Sequence, residues 1–187
     1  MGMQYRIVQV SERDLVDLRA DPELVEQALT REGPERERPF NDQHEQLMLF
    51  GLPPAPLLRL AYAGSLYLEK RWDVLHYLIT GHPGLVKTPL SRAIFGAGLI
   101  EECLGCLGGR AWFLTPRETS EVASGLSALT HEELRLRFIP ERLDAMEVYP
   151  GGFEIWEIEY LLEEFDELLA YYRNAAECGN GMVMALM

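Results

Sequence analysis

Glu69–Gly81 reads EKRWDVLHYLITG, and Pro89–Gly96, close behind it, reads PLSRAIFG. The first stretch predicts a helix from about Leu66 to Thr80 that stops at Gly81, a residue suited to the left-handed turn that ends helices. Trp72, His76 and Thr80 are spaced by four and so share a face, with Asp73 three residues before His76. A short helix is expected over Pro89–Phe95, then Gly-rich irregular chain to Gly109, then a strand at Arg110–Leu114 (RAWFL).

Outward from this centre, Met3–Val10 alternates and is rich in Ile, Val and Tyr, which predicts a strand. Ser11 with Asp14, then Asp21-Pro22-Glu23, open two short helices. Thr115-Pro116 starts a helix reaching about Leu129, and Thr130 with Glu133 forms a capping box for the next. A further short helix is expected at Pro140–Val148. The longest spans about Glu154–Glu177, with Ile158, Leu161, Phe165, Leu168 and Tyr172 repeating at three and four. Met182–Leu186 suits a final strand. The reading is one α+β domain over residues 1–187, mostly helical, with a small sheet formed by the N-terminal, central and C-terminal strands.

The 187 residues carry a formal charge of −13. That balance argues against nonspecific binding to nucleic acid or to an anionic membrane. No apolar run is long enough for a spanning helix. The opening MGMQYRIVQV is too short and too strand-like for a secretory signal, and three sparse cysteines suggest free thiols in a cytoplasmic protein. The charge is uneven: Glu132–Glu167 holds three basic residues against twelve acidic ones, whereas Arg59–Arg117 holds seven basic against four acidic.

Catalytic signatures are sparse. Gly96-Ala97-Gly98 lacks the third glycine of a dinucleotide loop, which would fall at Glu101. There is no P-loop, and Ser91 has no Gly-x-Ser-x-Gly elbow. Cys103 and Cys106 lack the second ligand pair that zinc needs, so no metal and no cofactor is expected. Two groups of residues remain. Trp72, Asp73, His76, Arg92 and Arg110 would form a cleft if the fold gathers them, with an Asp–His pair for proton transfer and cations for an anion. His76 among Val74, Leu75, Tyr77 and Leu78 equally suits a buried structural histidine. Glu154, Glu157, Glu163, Glu164 and Glu167 would form an acidic face of the last helix, solvated or docking a cationic partner.

Four patches, in order, give the chain a family likeness: MGM before the first strand, KRWDVLHYLITG at Lys70–Gly81, PLSRAIFG at Pro89–Gly96, and EVYPGGF at Glu147–Phe153. RAWFLTP at Arg110–Pro116 and the closing Glu177–Leu186 segment agree as well. On these the chain resembles the YfbM-like family, a bacterial domain of unknown function. The resemblance implies the fold and no activity. Arg31–Ser65 reads as an insertion relative to short members. Where the family tends to read Gly-Tyr-Gly, this chain has Gly105-Cys106-Leu107-Gly108-Gly109 and no tyrosine. The expected function is a non-catalytic module that binds a basic protein, with neutralisation of that partner, as by an immunity protein, one concrete form. The alternative is a small-molecule or nucleotide-related enzyme, or a ligand sensor, using the cleft near Trp72, His76, Arg92 and Arg110.

Overall fold

A computed structural model describes residues 4–30, 65–101, 103 and 106–187. The proposed insertion lies almost wholly outside the described residues. Strand β1 (Tyr5–Val10) leads to helices α1 (Glu12–Ala20) and α2 (Glu23–Thr30). Strand β2 (Ser65–Glu69), α3 (Trp72–Thr80), α4 (Arg92–Phe95), β3 (Gly98–Glu101) and β4 (Arg110–Leu114) come next. Helices α5 (Pro116–Ser127), α6 (His131–Arg137), α7 (Pro140–Ala145) and α8 (Ile158–Glu177), then β5 (Gly181–Leu186), complete the described chain.

One sheet, ordered β2-β1-β5-β4-β3, organises the molecule, and every neighbouring pair in it is antiparallel. Its three middle strands are the N-terminal, C-terminal and central strands expected from sequence. Side chains alternate across it with period two. Ile7 pairs with Met184 toward one face, and Val8 pairs with Val183 toward the other. The first face carries the larger core, packed by α3, α5 and α8 through residues such as Leu75, Leu78, Val122, Leu161, Phe165 and Tyr172. The second is covered by α1 and α2 through Leu15, Leu18, Val25 and Leu29. Fully burying one such aliphatic side chain contributes about 1.5–3 kcal/mol before entropy is counted, so both layers are needed to hold a sheet apolar on both sides.

Three expectations are corrected. The helix predicted from Leu66 begins only at Trp72, because Ser65–Glu69 pairs with β1 as a strand. Leu66 and Leu68 point into the core while Tyr67 and Glu69 do not, a period of two rather than 3.6. The chain before Gly109 is not all irregular. Gly98–Glu101 forms the edge strand β3 on β4, and Gly98 is required there because a Cβ would run into the ring of Phe113. Finally, Cys103 and Cys106 are joined by a disulfide, with Cα atoms 5.4 Å apart and both side chains buried in the second core. This separation lies in the range a bridge can span, and only Cys178 is a free thiol. The cysteines therefore no longer argue for a reducing compartment. No described helix is long and apolar enough to cross a membrane.

The local signals behave as chemistry dictates. The Thr115 and Thr130 capping boxes both form. Gly81 ends α3 with φ 75°, and Arg137 Nη1 donates to the carbonyls of Leu78 and Ile79 at 2.5 and 2.8 Å. A guanidinium there satisfies terminal carbonyls and opposes the negative end of the helix dipole.

Candidate functional site

Where β2 ends, Glu69 adopts φ 39° and the amide of Arg71 donates to the carbonyl of Leu68 at 2.9 Å. A left-handed glutamate is disfavoured, so the tight turn is imposed by what flanks it: β2 in the sheet and α3 in the core. The turn sets Lys70 and Arg71 at the surface. Two residues on, Asp73 Oδ2 accepts the backbone N–H of Tyr149 at 2.9 Å and ties the start of α3 to the EVYPGGF loop.

That loop is held at several points. Glu147 has φ 56°, the Tyr149–Pro150 peptide is cis, and Gly151 and Gly152 have φ 79° and 69°. The Gly152 amide donates to Asp144 Oδ1 at 2.8 Å. The chain then makes a 3-10 turn at Ile155–Glu157 before entering α8. Glu157 Oε2 accepts the Glu154 amide at 2.7 Å, and the Glu157 amide donates to the Glu154 carbonyl at 2.9 Å.

The KRWDVLHYLITG and EVYPGGF stretches therefore meet in space. Between them lies a groove of about 400 Å³, within the range of ligand and side-chain pockets. Glu69, Lys70 and Arg71 line it from the turn, Pro150 and Phe153 from the loop, and Trp156, Glu157, Tyr160 and Leu161 from the start of α8. Arg71 Nη1 is ion-paired with Glu164 Oε1. Burial pushes the Glu164 carboxyl above its ordinary pKa, and the Arg71 charge pulls it back. At the groove, Trp156 and Tyr160 are 60% and 53% exposed and meet edge to face at 5.8 Å. Ile155, beside them in sequence, is 66% exposed. Sequence reasoning missed these three. The available signal was their place off the Ile158, Leu161, Phe165 stripe that α8 turns to the core.

The acidic residues expected to face a partner have varied surroundings. Glu157 holds the Glu154 backbone amide, Glu154 is exposed, and Glu164 holds Arg71. Glu163 and Glu167 are exposed. Nearby, Glu159 takes both its oxygens to Arg135 Nη2 at 2.8 and 2.6 Å, and Asp166 pairs with His131 at 2.8 Å.

The residues expected to form a cleft lie elsewhere. Trp72 stacks on Tyr5 at 6.0 Å and on Tyr149 at 6.2 Å, and meets Phe95 edge to face at 6.0 Å. His76 is fully buried, 4.8 Å from the Phe95 ring, with Nε2 2.7 Å from the Gly84 carbonyl. Burial pushes its pKa down, while the Gly84 hydrogen bond and the Asp73 charge push it up. The net shift is downward, so the ring is neutral and Nε2–H donates to Gly84. Asp73 is committed to Tyr149, Arg92 lies 3.5 Å from Glu121, and Arg110 opens β4 opposite Glu101. Among the described residues, no hydrogen bond or ion pair joins any two of Trp72, Asp73, His76, Arg92 and Arg110. No group of three or more His, Cys, Asp or Glu among them is placed to hold a metal ion.

Comparison with known proteins agrees with this architecture. Residues 1–185 match the family described as "Domain of unknown function (DUF1877)". A 121-residue stretch, 60% of this chain, is 32% identical to Protein YfbM of Escherichia coli (strain K12) and covers 71% of that protein. The crystal structure of a protein of unknown function, YfbM from Escherichia coli, superimposes with a TM-score of 0.64 at 22% identity over 99% of each chain.

Proposed function

From the premise that this chain belongs to the DUF1877 family, a domain of unknown function, we propose that it is a non-catalytic protein-binding module. It engages a basic partner through the start of α8, and one concrete form of that role is neutralisation of the partner. The observation that carries this reading is the exposure of Ile155, Trp156 and Tyr160 within two turns, among acidic side chains. Tryptophan and tyrosine are the residues most enriched at binding hot spots. Exposed rings also offer their faces to a lysine or arginine of the partner.

The charge supports the same reading. The formal negative charges of Glu154, Glu157, Glu163 and Glu167 set up one negative field over the start of α8. Such a field speeds encounter with a cation over about 8–10 Å and weakens as salt rises.

A pull-down from lysate of the source cell, at low and high salt, tests the reading. Trp156→Ala with Tyr160→Ala should release the basic partner at both salt levels. Loss of one hot-spot aromatic costs about 2 kcal/mol or more. Glu163→Lys should weaken capture mainly at low salt. A set of captured proteins identical for wild type and the aromatic double variant would overturn it.

A further inference from the structure

We propose that the segment bound at this groove presents an acidic side chain to Lys70 and Arg71, beside an apolar anchor seated between Phe153 and Trp156. The partner is thus basic overall but of mixed charge where it enters the groove. The inference rests on the protein-binding reading above and gives that site its specificity.

The groove of this acidic protein holds unused cationic donors. Lys70 is exposed, with neither a hydrogen bond nor an ion pair among the described residues. Arg71 spends only Nη1, on Glu164. Its Nη2 and Nε carry no partner among the described residues, and its side chain is 43% exposed. Glu164 does more than neutralise Arg71. By holding one edge of the guanidinium it fixes the other edge in place, so little side-chain freedom remains to be lost on binding. A free guanidinium edge and an ammonium that line the same groove suit a carboxylate.

The preference is local, because carboxylates line the groove as well. Glu157 faces it from the start of α8, where one of its oxygens accepts the Glu154 amide. Glu69 is exposed at the turn, one residue from Lys70. A uniformly basic segment laid across Trp156 would bring its cations against Lys70 and Arg71. Like charges so placed are costly, and such contacts serve to reject wrong partners. A segment with Asp or Glu at that point avoids the penalty and gains the pair. Its basic residues can then lie over the acidic side of α8.

The experiment uses the full chain and a random linear peptide library displayed on phage. Selected peptides are synthesised and their binding is measured by fluorescence anisotropy against wild type, Lys70→Glu, Arg71→Met and Trp156→Ala. Lys70 is exposed, so Lys70→Glu keeps the fold, and a thermal melt checks it. The expected result is that selected peptides share an acidic residue beside a bulky apolar one. Lys70→Glu should weaken them by roughly tenfold, and a peptide with Lys in place of its acid should recover binding to Lys70→Glu alone. Peptides that need Trp156 but are basic throughout and indifferent to Lys70→Glu would overturn this inference and leave the binding module standing. Peptides indifferent to Trp156→Ala, or no enrichment at all, would overturn both.

Discussion

Trp72 and Trp156 each sit at or just before the start of a helix, each preceded within a few residues by charge, yet the fold treats them oppositely. Trp72 lies against Tyr5, Tyr149 and Phe95 with its helix in the core. Among the described residues, Trp156 meets one ring, that of Tyr160, and it remains 60% exposed. The helix that each one opens makes the difference. After Trp72 come Val74, Leu75, Tyr77, Leu78 and Ile79, all buried, so nearly every face of α3 is inside. After Trp156 only one stripe of α8 is buried, made by Ile158, Leu161, Leu162, Phe165, Leu168, Tyr172 and Ala175. An aromatic on an all-round apolar helix becomes structure, and one on the wet side of an amphipathic helix becomes surface. The stretch richest in suggestive residue types therefore builds the core. The stretch that reads as an acidic helix carries the proposed binding face.

Trp72→Ala should break this contrast most violently if it is wrong. Removing the indole leaves Tyr5, Tyr149 and Phe95 without their common neighbour, and stability should fall by about 3 kcal/mol, the lower end for a large core aromatic because the ring is only partly buried. Chemical denaturation of wild type and variant measures it. An unchanged midpoint would put Trp72 in the same class as Trp156. Next in size is Asp73→Ala, which severs the tie between the two regions. The Tyr149 amide loses its acceptor, at a cost of about 1–2 kcal/mol. Asp73→Asn keeps an acceptor oxygen and should lose less than half as much. Equal losses would mean that charge, not the hydrogen bond, fastens the loop beside the groove.

How much of this was legible depends on the range of the interactions. Strands β1, β4 and β5 could be read because they sit mid-sheet, where both faces demand apolar residues. The edge strands could not. Ser65–Glu69 runs into α3 without a Gly or Pro, because the turn is made by a left-handed Glu69. Gly98–Glu101 is only four residues and depends on the ring of Phe113 across the ladder. The thiols read as free because the Cys-x2-Cys spacing at 103 and 106 is common to metal-binding, redox-active and unpaired cysteines, and spacing alone does not choose among them. The groove was hidden for the same reason on a larger scale. It exists because Asp73 reaches Tyr149, 76 residues away. Its aromatics could have been suspected from one fact: Trp156 and Tyr160 do not fall on the buried stripe of their own helix.

His76 sharpens the interior side of the contrast through pH. A buried neutral imidazole has its folded pKa depressed, here chiefly by desolvation, with Asp73 and the Gly84 carbonyl opposing. Above the ordinary histidine value of about 6.5 both folded and unfolded chains hold it neutral, and it makes no pH-dependent contribution. Below that value the unfolded chain takes up a proton first, so stability falls until the folded pKa is passed. His76→Gln, which can still donate to Gly84, should cost about 1 kcal/mol or less at pH 8. The variant should also lose that part of the acid sensitivity beginning near 6.5. The measurement is a series of denaturation midpoints for both proteins from neutral pH downward. If the two curves stay parallel through that window, His76 is not the buried neutral group described.

Trp156→Ala should have the smallest effect on stability, and that smallness is the point. An indole 60% exposed that touches chiefly Tyr160 gives up little burial when it is removed. Surface substitutions of this kind change stability by about 0.5 kcal/mol or less. The same change should remove most binding at the groove, because an exposed ring flanked by others is where a partner excludes water. Stability and binding must therefore separate at Trp156. At Trp72 binding should fail only as folding fails. Thermal melts of wild type and Trp156→Ala, run beside the binding assay, decide it. A melt lowered as far as that of Trp72→Ala would show that Trp156 holds the turn into α8 together. In that case its exposure reflects the edge of the core, and the start of α8 loses its claim to be the binding face.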